Sequence, residues 1–123
     1  MKKGLFILGH GSQALEANEI FVNIVKMVIS ITEFETVGMG SLQISNPSFD
    51  EGIAEMVKTG IDKIVIVPMF IFKGNHVKYD IPEELQKLKE KYPQVEFIMA
   101  DHIGADARLA EIIEERAKEA ITA

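Results

Sequence analysis

Ile64-Val65-Ile66-Val67-Pro68-Met69-Phe70 is an unbroken apolar run rich in β-branched residues. A strand covered on one face alternates apolar with polar side chains. This run does not alternate, so it reads as a central parallel strand covered on both faces. Pro68 cannot donate to a ladder and is expected at the strand's end. Gly4-Leu5-Phe6-Ile7-Leu8-Gly9 reads as a second buried strand by the same argument. Thr36 to Ile44, with glycines at 38 and 40, is a weaker strand, and Val95 to Ala100 is the last.

Helical patterns fill the intervals. Ala17, Ile20, Phe21, Ile24, Val25 and Val28 fall on one helical face, and Ser12 is the candidate cap before them. Ser48-Phe49-Asp50-Glu51 is a capping-box sequence that opens a helix with the face Phe49, Ile53, Met56 and Val57, ended by Gly60. Asp80-Ile81-Pro82-Glu83 starts a third helix, with Asp80 as candidate cap and Pro82 in the first turn. Leu109, Ile112, Ile113, Ala117 and Ala120 give a closing helix.

The order βαβαβαβα implies an α/β fold: a doubly wound, four-stranded parallel sheet with helices on both faces. The expected strand order is 2-1-3-4, in one domain spanning residues 1–123. The crevice at the carboxyl ends of strands 1 and 3 is then the topological switch point, where such sheets bind ligands.

Composition narrows the function. The 123 residues are 47% hydrophobic and 26% charged, as in ordinary globular proteins. There is no cysteine, which removes thiolate metal sites, iron–sulfur clusters and cysteine nucleophiles. The net charge of -6 argues against nucleic acid and against anionic membranes. No apolar run approaches the ~20 residues of a membrane span. The short run after Lys2-Lys3 does not make a signal peptide. A cytoplasmic location is expected.

Two histidines fall at the switch point. His10 follows strand 1 in Gly9-His10-Gly11-Ser12, and His76 lies beyond strand 3 in Lys73-Gly74-Asn75-His76-Val77-Lys78-Tyr79-Asp80. A loop histidine is ordinarily a solvated surface residue. Two on one rim share a capacity for metal ligation and for proton transfer near neutral pH. Two imidazoles are too few for a closed structural zinc site, so a bound ion would be held openly. The glycine-flanked turn also suits phosphate, but GHGS matches neither GxGxxG nor GxxxxGK[ST]. Gln43, Asn46 and Ser48 line the same expected rim, as do Asp101 and His102. Lys73, Lys78 and Arg108 offer positive charge to an anionic ligand, although each alone reads as a solvated surface cation.

GHGS after the first strand, Val67-Pro68-Met69-Phe70 leading to Gly74-Asn75-His76, Asp80-Ile81-Pro82, and Ile103-Gly104-Ala105-Asp106-Ala107-Arg108-Leu109 together resemble the small archaeal CbiX-type sirohydrochlorin chelatases. The resemblance runs over nearly the whole chain. It implies insertion of Co²⁺, or Ni²⁺, into sirohydrochlorin on the routes to cobalamin or coenzyme F430. The metal enters as substrate and no organic cofactor is expected. The resemblance also implies a homodimer, with His10 and His76 as metal-handling and catalytic residues. Gly11, Ser12, Gln43, Gly74, Asn75 and Lys78 are the expected macrocycle-binding residues.

The chain departs from the family pattern in two places. Gln13 stands where arginine commonly follows GHGS. Leu42-Gln43-Ile44-Ser45-Asn46-Pro47 replaces a segment like LEFAEP, so both usual carboxylates become neutral amides. A non-catalytic metal- or tetrapyrrole-binding protein is the alternative these changes suggest. A phosphate- or nucleotide-binding domain of flavodoxin type is the third reading.

Overall fold

The structure, a computed structural model, describes residues 2–43, 45–72, 74 and 76–122. For residues 76 and 77 only the backbone is described. The elements run β1 (Lys3–Gly9), α1 (Leu15–Ile31), β2 (Thr36–Ser41), α2 (Phe49–Val57), β3 (Lys63–Pro68), a π turn (His76–Asp80), α3 (Ile81–Lys91), β4 (Glu96–Met99) and α4 (Ala107–Thr122). The strands form one parallel sheet in the order β2-β1-β3-β4, as the alternation of apolar runs predicts. Pro68 is the last residue of β3, where its missing N–H does no harm.

The two faces of the sheet are packed differently. Phe6 and Leu8 of β1, Ile64 and Ile66 of β3, and Phe97 of β4 point to one face. There they meet Phe49, Ile53 and Met56 of α2 and Ile81 and Leu88 of α3 in a single buried cluster. The Phe6 and Phe49 rings stack at 5.5 Å. Gly52 allows α2 to come this close, because a Cβ there would overlap the Met39 carbonyl oxygen and crowd the Phe6 ring. On the other face, Ile7 is buried and a Cβ at Gly9 would stand 3.0 Å from the Phe21 ring of α1.

The capping box of α2 forms as its sequence predicts. Ser48 Oγ accepts from the Glu51 amide at 3.1 Å, and Glu51 Oε1 accepts from the Ser48 amide at 2.8 Å. Gly60, at φ +79°, follows that helix. Two other expected caps are displaced. Asp80 is itself helical and its side chain does not cap α3, because the π turn feeds directly into that helix. Ser12 lies three residues before Leu15, and its Oγ accepts from the Ala14 amide at 3.0 Å instead of from the helix. β2 ends at Ser41, short of the expected Ile44, because the chain turns toward the β1 loop at Leu42 and Gln43. In α1 only Val25 is buried, and Ala17 and Ile20 of the expected inner face are exposed. Nothing in α4 is buried.

Candidate metal-handling site

The GHGS loop is held in place from both sides. The Leu42 amide donates to the Gly9 carbonyl at 3.0 Å, and the Gln43 amide donates to the His10 carbonyl at 3.3 Å. These bonds continue the β1–β2 ladder past the end of both strands. Gly11 then reverses the chain at φ +94°, a conformation that favours glycine, and a Cβ there would overlap the Gln43 carbonyl oxygen. Ser12 is pinned by Ser45: its amide donates to Ser45 Oγ at 2.6 Å, and its carbonyl accepts from that hydroxyl at 2.7 Å. Asn18 Nδ2 donates to the same carbonyl at 3.1 Å, and Asn18 Oδ1 lies 2.8 Å from Ser45 Oγ.

His10 is thereby presented at the carboxyl edge of the sheet, exposed, with its ring edge-on to Phe70 at 4.8 Å. Phe70 is 6% exposed and serves as a fixed wall. The two rings bound a cavity of about 500 Å³ whose lining includes Gly11, Ser12, Phe21, Met69, Phe72 and Gly74. The lining is mostly apolar, and Phe72 is 83% exposed at its mouth. An apolar concavity with few polar groups suits the face of a planar organic ring.

Of the residues expected from sequence, His10, Gly11, Ser12 and Gly74 meet at this cavity. His76 opens the π turn two residues beyond Gly74, so its backbone lies on the same rim. Asn75 lies outside the described residues, as does Lys73. Gln43 faces elsewhere: it lines a neighbouring cavity of about 360 Å³ with Asp50, Asp80, Glu83 and Glu84. Those carboxylates cluster around the starts of α2 and α3, where negative charge complements the helix dipoles. Lys78 is carried on the π turn, and its Nζ stands 5.8 Å from the Tyr79 ring centroid.

His102 lies in a third cavity, with Pro68, Ile81, Pro82 and Leu85. Its Nδ1 is 3.1 Å from Asp101 Oδ1. Arg108 is engaged by Asp106 through two bonds of 2.8 Å, from Nε to Oδ1 and from Nη2 to Oδ2. That guanidinium holds the Asp106 carboxyl well below the usual carboxylate range, and the carboxylate raises Arg108 in turn. Among the described residues no group of three or more His, Asp or Glu is arranged to hold a metal. Ser45 and Asn18 were not foreseen from sequence. Nothing local marks them, because Ser45 acts on a loop 33 residues away.

A four-stranded parallel sheet in the order 2-1-3-4, with His10 exposed beside an apolar cavity at its carboxyl edge, places the chain in the class of doubly wound α/β proteins. The chain belongs to the CbiX family, whose model matches residues 4–120. It is 33% identical to the sirohydrochlorin cobaltochelatase of Methanopyrus kandleri, with 94% of each chain covered. It is 34% identical to that of Sulfolobus acidocaldarius, over 97% of this chain and 93% of the other. Among solved structures, the sirohydrochlorin chelatase SirB from Bacillus subtilis subspecies spizizenii, in complex with cobalt, superimposes with a TM-score of 0.92 at 25% identity. That match covers 97% of this chain and 51% of SirB.

Proposed function

We propose that this protein is a sirohydrochlorin metal chelatase that inserts Co²⁺, or Ni²⁺, into the macrocycle in the formation of cobalamin or coenzyme F430. The observation that carries the proposal is His10 held by the GHGS loop at the mouth of an apolar cavity. The macrocycle lies against Phe70 and Phe72. Neutral imidazole at His10, with His76 from the facing loop, delivers the ion to the ring. Gly11, Ser12, Gly74 and Asn75 shape the rim, and Lys78 and Gln43 meet the macrocycle's periphery.

Insertion exchanges two pyrrole N–H protons for one divalent ion, so two protons must leave for each metal bound. An imidazole that has released its metal can accept one of them, and solvent at the exposed rim takes the other. No organic cofactor enters this scheme. The 1–123 domain works in the cytoplasm as one member of a homodimer, since one such cavity encloses only part of a large flat ring. Among the described residues no helix is long and apolar enough to cross a membrane.

The test is anaerobic absorption spectroscopy of sirohydrochlorin with the protein and Co²⁺, Ni²⁺ or Fe²⁺ in turn. The expected result is repeated turnover with Co²⁺ or Ni²⁺ above spontaneous insertion. Gln43 and Asn46, in place of acidic residues, favour a second reading: a metal- or tetrapyrrole-binding protein without turnover. Stoichiometric binding with no rate above background would establish that second reading and end the first.

A further inference from the structure

The loop that carries His10 contains its own hinge. Gly11, at φ +94°, stands between His10 and Ser12, and glycine is the least restricted of residues. Upstream the chain is fixed by ladder bonds to the carbonyls of Gly9 and His10, the second of them at 3.3 Å. Downstream it is fixed at Ser12, and there by one half-buried hydroxyl. Ser45 Oγ accepts from the Ser12 amide at 2.6 Å. Its single hydrogen has the Ser12 carbonyl at 2.7 Å and Asn18 Oδ1 at 2.8 Å within reach. Donation to Asn18 closes a ring, because Asn18 Nδ2 donates back to the Ser12 carbonyl at 3.1 Å. Each donor in that ring then has its own acceptor, and hydrogen bonds in series polarise and strengthen one another.

The ring ties together three segments: the GHGS loop, the first turn of α1 and the chain leading into α2. Asn18 lines the apolar cavity beside His10, and Ser45 does not. A macrocycle in that cavity meets Asn18 directly, whereas Ser45 reaches the reacting atoms only through the backbone of Ser12 and Gly11. Serine stands here at the alanine of the LEFAEP-like segment, so the hydroxyl is no part of that pattern. Passing an ion from imidazole to ring nitrogens requires both within bonding reach. A misplacement of about 1 Å can cost on the order of 100-fold in rate.

We propose that Ser45 is a positioning residue for metal insertion, holding Ser12 so that the glycine hinge does not swing His10 away from the cavity. The proposal rests on the reading of His10 as the residue that hands over the metal. The test compares the full chain with Ser45→Ala and with Ser45→Thr, which keeps the hydroxyl. Ser45→Ala should lower kcat for Co²⁺ insertion by about 10- to 100-fold and leave KM for sirohydrochlorin within about twofold. Ser45→Thr should restore most of the rate. The ring resonances of His10, identified by their loss in His10→Ala, report on the loop without turnover. Phe70, at 4.8 Å, displaces them by its ring current. Ser45→Ala should move them toward the shifts of a free imidazole, while those of His102, in its separate cavity, stay in place. Asn18→Ala opens the ring at another corner and should move the His10 resonances too. Unmoved His10 resonances in Ser45→Ala overturn the proposal whatever the rate. Moved resonances with an unchanged kcat overturn it as well, since the loop is then displaced at no cost to insertion. A Ser45→Thr protein no better than Ser45→Ala shows that the hydroxyl is not the agent. A parent protein without turnover ends the chelatase reading, and the resonances, read without turnover, keep that failure distinct from a failure of the pin.

Discussion

At the residue scale, His10 can be removed with little structural consequence. Its side chain is exposed and sits in a loop outside the buried cluster, and its ring stands edge-on to Phe70, a kind of contact worth about 0.5–1.5 kcal/mol. His10→Ala should therefore abolish most metal insertion while the melting temperature moves little, and His76→Ala should lose insertion likewise. His102→Ala is the control: it lines a different cavity and should keep substantial activity. Near-normal rates in both the His10 and His76 variants, after subtraction of spontaneous insertion, would remove the histidines from the mechanism. Asp106 supports a second prediction. Its Oδ1 accepts from the Arg108 amide at 2.9 Å at the start of α4, and Arg108 depresses its folded-state pKa. A depressed carboxyl contributes stability that is fully present above its unfolded pKa, about 3.9, and lost as pH falls from there through the folded value. The Arg108 amide resonance should thus keep its bonded shift as pH drops to 4 and lose it only in stronger acid. Loss between pH 6 and pH 5 would show that this carboxylate does not hold the helix end. His10 and Gly11 were legible from sequence because GHGS sits where strand 1 must end. Ser45 and Asn18 were not, because their bonds depend on which loop lies beside which.

At the scale of elements, the strands were legible because Ile64–Val67 and its counterparts are unbroken apolar, β-branched runs, although burial within the chain alternates along β3, with Ile64 and Ile66 buried and Val65 and Val67 only half-buried. The start of α2 was equally legible, since a capping box is a local device and Ser48 and Glu51 suffice to form it. The strand ends were less so: β2 stops at Ser41 because Leu42 and Gln43 turn their amides to the carbonyls of Gly9 and His10, a tertiary cause. Helix α4 shows the deeper limit. Its periodicity specifies an apolar face but not what covers it, and no residue of it is buried within its own chain. Gly52 offers a quantitative test at this scale. In a helix interior Gly→Ala should stabilise by about 0.8–1.0 kcal/mol from propensity alone. Here the added methyl would overlap the Met39 carbonyl oxygen and press on Phe6. Overpacking typically destabilises by about 1–3 kcal/mol, and backbone gives way less readily than a side chain. Gly52→Ala should therefore lower the midpoint of urea denaturation. A raised midpoint would mean that α2 can retreat from β2 at no loss.

At the scale of the whole molecule, charge sets the two substrates against each other. The chain carries a net charge of -6, and sirohydrochlorin brings eight carboxylates. The edge that presents His10 also holds Asp50, Asp80, Glu83 and Glu84 around the neighbouring cavity. Cations that would offset them are partly engaged elsewhere, as Arg108 is by Asp106 and Arg116 by Glu119. The resulting field should concentrate divalent ions near the site and resist the macrocycle. Salt screens both effects: the Debye length shrinks from about 30 Å at 0.01 M to about 8 Å at 0.15 M. Raising ionic strength over that range should therefore lower KM for sirohydrochlorin and raise KM for the metal, with kcat changed less than either. Initial rates with each substrate varied in turn, in a non-coordinating salt, separate the two slopes. If KM for the macrocycle instead rises with salt, local cations at the rim, with Lys78 on the π turn the foremost candidate, outweigh the net charge. The opposed signs are the informative feature, since a general effect of salt on stability would move both constants in the same direction.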